Sequence, residues 1–482
     1  MPPAFPADDA SPRFPLLARA VAPLVGLVVA AAVLTLARSP FRAVDTYFHL
    51  RLGEEFLTGR WSISAPGQPS VASTAAWVPT QWLPEAALAW IDDHLGDPGL
   101  SALLALLVGA YALVCHLTLR RITTPAGAAV ATAVVVLGSL PFLSLRPQVL
   151  SYLFAALLLA LWRGVALGAT STARLWWLVP LTWVWAMCHG MWIVGVGASV
   201  VLAVGVAAQR RGAGLTRRDT RALVAVPVAT GAVALLTPAG PALLAQVVTV
   251  NGRASHFDEW RAPELLSATG APVALVLALA VLALVVERAV PPYEVALLAL
   301  GGGLAVYSTR TLPLALFTLV TVVLAARERR RQHPGPPRVG PRETFVGLAL
   351  VAAVVVAAPL LPQRGAPADA LRPFDARLSA LPAGSRVLTD REAGTILLHT
   401  HPGLDVAIHA YGDMYTDREL DRYDALARLA PGWRTTLRGL DPRVAVLPRT
   451  APLTEALTVT GWRTSERAGT WLLLVPPQGT AS

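Results

Sequence analysis

The sequence predicts a mostly α-helical polytopic transmembrane bundle of about eleven helices, followed by a small extracytoplasmic α/β domain. Three observations carry that reading. Of the 482 residues 54% are hydrophobic and 15% are charged, whereas a soluble chain carries about a quarter charged residues. Apolar runs long enough to cross a bilayer recur as far as residue 361. Beyond that point the pattern changes to short apolar strands alternating with polar helical stretches.

Residues 1–16 read as a cytoplasmic tail. They precede an apolar run at 17–38 with no small-residue cleavage site after it, so this run is a retained first span rather than a removed signal. The transmembrane region, 17–362, continues with spans at 98–119, 126–142, 148–168, 175–188, 190–208, 221–237, 271–287, 293–307, 311–326 and 343–361. Segment 238–250 reads as a short re-entrant or interfacial helix.

The long first outer loop covers 40–97. In it, DTYFHLRLGEEFLTG has apolar residues near helical spacing and a terminal glycine, which predicts an interfacial helix. TQWLPEAALAWIDDHLG predicts a second helix from Thr80 to near Gly96, with irregular, turn-rich sequence between the two. In the tail domain, 363–482, RVLTD, DVAIHA, RVAVLP and TWLLLVPP are the expected strands.

The net charge is +10, and all forty Lys+Arg positions are arginine. The arginines crowd into 119–121, 209–221 and 327–343, as expected of cytoplasmic loops, so the basicity points to membrane topology and not to nucleic acid. The same topology puts Asp45, His49, Glu54, Glu85, His189, Asp258 and Glu259 on the outer side, together with the isolated Arg146 and Arg310. Ionisable groups near membrane depth line aqueous cavities or pair with one another, so this set predicts one outward-facing cleft.

Cys115 and Cys188 both sit at or inside apolar runs, which argues against a disulfide framework and against a cysteine metal motif. No HExxH spacing, P-loop or dinucleotide fingerprint is present, and His399, His401 and His409 fall across a turn and a strand. No cofactor is therefore expected, and a divalent metal has no support in the spacing. The arginine-only basic set, with abundant Ala, Val, Leu and Pro, points to a GC-rich bacterial genome.

After the first span, Asp45, Tyr47, Phe48, His49, Leu50 and Gly53 form an Asp-x-aromatic-aromatic-His-Leu-x2-Gly arrangement. It resembles the first-loop signature of bacterial GT-C-type integral membrane glycosyltransferases that use polyprenyl-phosphate sugars. Gly59, Trp82, Leu83 and Glu85 continue the likeness, followed by Arg146-Pro147-Gln148, Trp185 with His189-Gly190, and Thr237-Pro238-Ala239-Gly240. Glu259-Trp260, Arg310 with Pro313, and Gly394, Gly412, Tyr415 and Gly461-Trp462 in the tail complete it. Asp45 has no adjacent acid, and TPAG carries Thr where that group commonly has Asn.

The resemblance implies a divergent member that transfers a sugar from a polyprenyl-phosphate donor to a lipid, glycan or protein acceptor outside the bacterial cytoplasmic membrane. It assigns Asp45 as general base with His49 beside it as the catalytic pair. Glu85, Arg146, Gln148, His189, Glu259, Trp260 and Arg310 are the implied substrate-binding residues, with the arginines and His189 on the lipid phosphate. The implied partners are that donor, the acceptor and membrane lipids.

Blander readings stand beside each of these roles. Asp45 is also a preferred N-cap for a helix starting at Thr46. His49 orients Asp45 in one reading and is interfacial in another, and Glu85 reads alternatively as an exposed interfacial acid or a structural partner for an arginine. Arg146 and Arg310 fit interfacial anchors, Glu259 and Trp260 fit interfacial packing, and His189 fits a satisfied bundle histidine. Two other functional classes also stand: a non-catalytic assembly scaffold of the same fold, and a transporter. The sequence has no internal repeat and no acid in mid-span to favour transport.

Overall fold

The computed structural model describes residues 15–70, 73–211, 214–331 and 339–477. All but the last two residues of the expected cytoplasmic tail, 1–16, lie outside them. The bundle contains α1 (Pro15–Ala37), α2 (Asp45–Leu57), α3 (Trp82–Arg120), α4 (Pro125–Ser139), α5 (Gln148–Ala166), α6 (Leu178–Cys188) and α7 (Trp192–Arg210). It continues through α8 (Arg217–Val233), α9 (Ala242–Gly252), α10 (Ala271–Val285), α11 (Pro292–Tyr307), α12 (Leu312–Arg330) and α13 (Pro341–Ala357). Among the described residues eight helical runs are long and apolar enough to cross a membrane, and α10 and α11 are shorter apolar helices. With the eleven-residue α6, they fall on the eleven apolar segments read from the sequence. The chain is a multi-pass membrane protein.

The expected second loop helix and the following span are one 39-residue element, α3, bent at Gly96, whose φ of 60° and ψ of −158° break the helical path. Only glycine takes that backbone without strain, so the sequence stop at Gly96 is a joint and not an end. Segment 238–250 becomes α9, displaced by a few residues.

Helix α12 is the central post, packed by α4, α5, α10 and α11, with 83% of its span buried. Helix α13 lies at the rim against α3 and α1, with 11% buried. The buried hydroxyls of Thr318 and Thr321 donate to Leu314 O and Phe317 O one turn back, which leaves no unsatisfied donor there in the apolar core. Where α5, α10, α11 and α12 end together, Arg163 pairs with Glu294, and Arg329 reaches Glu287 at 3.0 Å and Glu294 at 3.3 Å.

After α14 (Asp375–Ser379) come β1 (Arg386–Thr389), α15 (Arg391–Thr400), β2 (Asp405–Val406), α16 (Asp417–Ala427), α17 (Trp433–Leu440), β3 (Val444–Pro448), α18 (Pro452–Val459), β4 (Arg463–Ala468) and β5 (Trp471–Val475). The sheet order is β2-β1-β3-β5-β4. Strand β1 runs parallel to β2 and β3, and β5 runs antiparallel to β3 and β4.

Alternate residues sort to the two faces. Leu388, Ala445, Leu447, Leu472 and Leu474 pack with α16 and α18. Val387, Val444, Val446 and Leu473 instead join the core that runs through α15 into the helical bundle. One face of the sheet is thus seated on the bundle. Strand β4, RTSERA, was not anticipated; it is an edge strand whose charged residues interrupt any apolar signal.

Candidate active site

Helix α2 is pressed onto α3 at one point. A Cβ on Gly53 would stand 1.9 Å from the backbone oxygen of Glu85, so only glycine permits the crossing. That contact brings His49, one turn before Gly53, to Glu85: His49 Nδ1 lies 3.0 Å from Glu85 Oε1, with both side chains buried. Glu85 is thus neither an exposed interfacial acid nor the partner of an arginine: it is fully buried against His49. Burial holds the His49 pKa well below the usual imidazole value, reinforced by Arg146, His189 and Arg310, so the ring is neutral.

Asp45 does not cap α2. It is the helix's first residue, and Val44 at the N-cap makes no side-chain cap bond. The Asp45 carboxylate instead accepts from Arg146 Nη1 at 2.9 Å. Arg146, on the short turn before α5, is steadied by its Nε donating to Ser144 Oγ at 3.0 Å. The same Nη1 also donates to Glu259 at 3.1 Å, and Arg310 Nε donates to Glu259 Oε2 at 3.0 Å. The Arg310 guanidinium lies 5.1 Å from the Trp260 ring centre.

Four segments distant in sequence thus meet in one chain of charges, Asp45–Arg146–Glu259–Arg310. Asp45 is 26% exposed and Glu259 43%, so this chain opens to solvent at its carboxylates. Burial alone would raise the Glu259 pKa, but the two arginines outweigh it and hold it below the ordinary glutamate value.

Around this chain the backbone is tied down. Ser308 Oγ donates to Glu259 O at 2.9 Å, Tyr152 OH donates to Arg310 O at 3.1 Å, and Gln148 Nε2 donates to Tyr152 OH. Gln148 is buried and reaches Arg310 only through Tyr152. His189 ends α6, and its Nδ1 accepts from Met191 N at 3.3 Å and lies 3.0 Å from Ser151 Oγ. Trp185 Nε1 donates to that same serine at 2.8 Å. With Nδ1 accepting, the ring proton sits on Nε2.

Sequence reasoning missed Ser151 and Tyr152, although both follow Arg146-Pro147-Gln148 within about a turn of helix. In the tail loop 409–415 it named Gly412 and Tyr415 but missed Tyr411 and Asp413 beside them. Tyr411 packs on Phe48 with ring centres 4.8 Å apart and on Trp77 at 5.5 Å. Arg253 Nη1 donates to Gly412 O at 3.1 Å and Asp413 O at 3.2 Å, fastening this loop to the bundle. The buried Asp413 carboxyl has its pKa raised by burial, with Arg253 and Arg310 opposing. Among the described residues no group of three or more His, Cys, Asp and Glu is arranged to hold a metal ion.

The fold is that of a polytopic helical membrane bundle with a small sheet domain seated on it, and the open chain of charges lies near the sheet. No family model matches the chain, and no curated protein matches its sequence. Solved structures do. The archaeal oligosaccharyltransferase AglB from Archaeoglobus fulgidus, in complex with an inhibitory peptide and a dolichol-phosphate, aligns at TM-score 0.56 and 10% identity over 97% of this chain and 75% of that one. ArnT from Cupriavidus metallidurans, bound to undecaprenyl phosphate, aligns at 0.50 and 16% identity over 97% and 98%. The mycobacterial arabinofuranosyltransferase AftD aligns at 0.51 and 14% identity over 95% of this chain and 40% of its own. At such identities the likeness is one of fold.

Proposed function

We propose that this protein is an integral membrane glycosyltransferase that moves a sugar from a polyprenyl-phosphate carrier to an acceptor hydroxyl on the outer face of the bacterial cytoplasmic membrane. The N-terminus is inside and the 363–482 domain outside, the orientation favoured by the arginine-rich loops. The observation that carries the reading is the open Asp45–Arg146–Glu259–Arg310 chain, in which Arg146 pairs with the partly exposed Asp45 and Arg310 joins them through Glu259. The GT-C architecture supports it, as do neighbours of that architecture that hold polyprenyl phosphates.

In the reaction the lipid phosphate is the leaving group. Arg146 and Arg310 bind its oxygens, and the Nε2–H of His189 supplies a neutral donor. As Arg146 turns to phosphate its hold on Asp45 weakens, and the freed carboxylate takes the acceptor's hydroxyl proton. The acceptor oxygen bonds to the anomeric carbon, the carbon–oxygen bond to phosphate breaks, and the electron pair leaves on the phosphate. Glu259 keeps the arginines in place before the substrate arrives.

Asp45→Asn in the purified full-length protein tests this. Transfer from a panel of undecaprenyl- and decaprenyl-phosphate pentoses and hexoses is expected to fall by about 10²–10⁴-fold, with expression and melting temperature retained. Undiminished transfer would remove Asp45 from the role. The competing scaffold reading draws on the same ion pairs, since a non-catalytic relative would also keep its carboxylates satisfied. It predicts no transfer from any donor by the parent chain and no displacement by lipid phosphate.

A further inference from the structure

A cavity of about 720 Å³ lies away from the candidate active site, between α1, α3, α4 and α13. Its volume falls within the ~300–1,000 Å³ of ordinary ligand pockets. Its walls are almost wholly apolar, from Ala22, Gly26 and Val33 on α1 to Leu113, Ala129 and Leu350 on the other three helices. The only hydroxyl among its lining residues, Thr132, donates to Ala128 O of its own helix, so the walls offer water little to bind.

From Ala22 to Val33 the cleft runs about 16 Å along α1, at ~1.5 Å per residue. That is close to the ~15 Å depth of one leaflet of hydrocarbon, half of a ~30 Å core.

The cavity is polar at one end only. There Glu343 meets Arg120 at 2.8 Å and His116 at 3.4 Å. Arg342 beside it is exposed and has no acid partner among the described residues. The rim helix α13 is little buried, so the cleft meets lipid sideways. Basic groups at the edge of a pocket between membrane helices are the chemistry that selects anionic lipid headgroups.

We infer that this cleft is a binding site for one acyl chain of a diacyl phospholipid with an anionic headgroup, its phosphate at Arg342. The occupant lies at the opposite end of the bundle from Asp45, Arg146 and Arg310, and the inference stands whether or not the chain transfers sugars.

The experiment is lipid analysis by native mass spectrometry of the full-length protein, reconstituted with phosphatidylglycerol, phosphatidylcholine or undecaprenyl phosphate and then stripped with detergent. The parent is expected to retain phosphatidylglycerol in preference to the others. A Cβ at Gly26 meets only Leu350 Cδ2, at 3.9 Å, so Gly26→Leu fits the fold while filling the cleft, and it should lose that lipid where Gly26→Ala keeps it. Arg342→Gln should retain phospholipid but lose about fivefold of the preference for phosphatidylglycerol over phosphatidylcholine. Equal retention by Gly26→Leu and Gly26→Ala overturns the site, as does preferential retention of undecaprenyl phosphate by the parent. If Gly26→Leu does not fold, Arg342→Gln decides alone, and an unchanged headgroup preference overturns the proposal.

Discussion

Two arginines and two carboxylates meet at each end of the helical bundle. Near the sheet, Arg146 and Arg310 share Asp45 and Glu259; at the other end, Arg163 and Arg329 share Glu294 and Glu287. The inventories are equal and the environments are not. Arg163 and Glu294 are 5% and 3% exposed and sit among α5, α11 and α12. Asp45 and Glu259 open to solvent at 26% and 43%. A buried pair stripped of one member leaves a charge without solvent, whereas a pair facing water can exchange its partner for an ion at little cost. The difference separates a clasp from the proposed site, whose arginines stand at carboxylates open to exchange with an incoming ion.

The largest expected effect comes from breaking the closed pair. Glu294→Gln leaves Arg163 buried without its carboxylate and should destabilise the protein by about 3–5 kcal/mol, read as a lowered melting temperature in detergent. Replacing both partners with apolar residues, Arg163→Met with Glu294→Leu, should restore much of that loss. A shift for Glu294→Gln no larger than for an exposed pair would mean that the end of the bundle is hydrated and the contrast is false.

Next in size is Arg310→Gln at the open end. Charge-assisted hydrogen bonds contribute about 1.5–3 kcal/mol, so the KM for a polyprenyl-phosphate donor should rise roughly 10- to 100-fold. The melting temperature should stay close to that of the parent, because Glu259 keeps Arg146 and remains open to water. A large loss of stability with unchanged donor KM would make the open chain a second clasp.

Much of the architecture could be read from the chain because run length and arginine placement are local signals. The eleven apolar segments each became a helix, and the DTYFHLRLG stretch became α2. The partners could not be read that way. Asp45 and Arg146 are 101 residues apart, and Arg163 and Glu294 are 131 apart, so no spacing rule joins them. Asp45 looked like a helix cap because its neighbours are helical; its side chain went to Arg146 because a guanidinium near membrane depth is a stronger partner than an N-terminal amide. Gly53 carried the signal for the His49–Glu85 contact, but glycine in a helix does not say which backbone it must meet. Gly412 and Tyr415 marked the 409–415 loop, but Tyr411 and Asp413 stayed hidden because their role comes from the seating of the sheet on the bundle, which the alternation in β1, β3 and β5 shows only once both faces are seen to be covered.

Ionic strength sharpens the comparison at smaller amplitude. Raising salt from about 0.1 M to 1 M shortens the screening length from ~10 Å to ~3 Å. Donor binding at the open chain should weaken over that range, while the melting-temperature loss caused by Glu294→Gln should hardly change. Equal salt sensitivity at both ends would show that exposure does not distinguish them.

The smallest effect is a pH signature of Glu259. Its folded pKa lies below the ordinary value of 4.5, because Arg146 and Arg310 outweigh the burial that would raise it. The unfolded state therefore binds the proton more readily, and the stability contributed by this carboxylate is fully present above pH 4.5. It is lost as the pH falls through the lower folded value. Glu259→Gln cannot titrate, so the difference in melting temperature between parent and variant should narrow as the pH drops below that point, with no comparable narrowing between pH 6 and 8. A gap that stays constant on acidification would show that Glu259 is not held as a carboxylate by the two arginines, and the open chain would lose its central member.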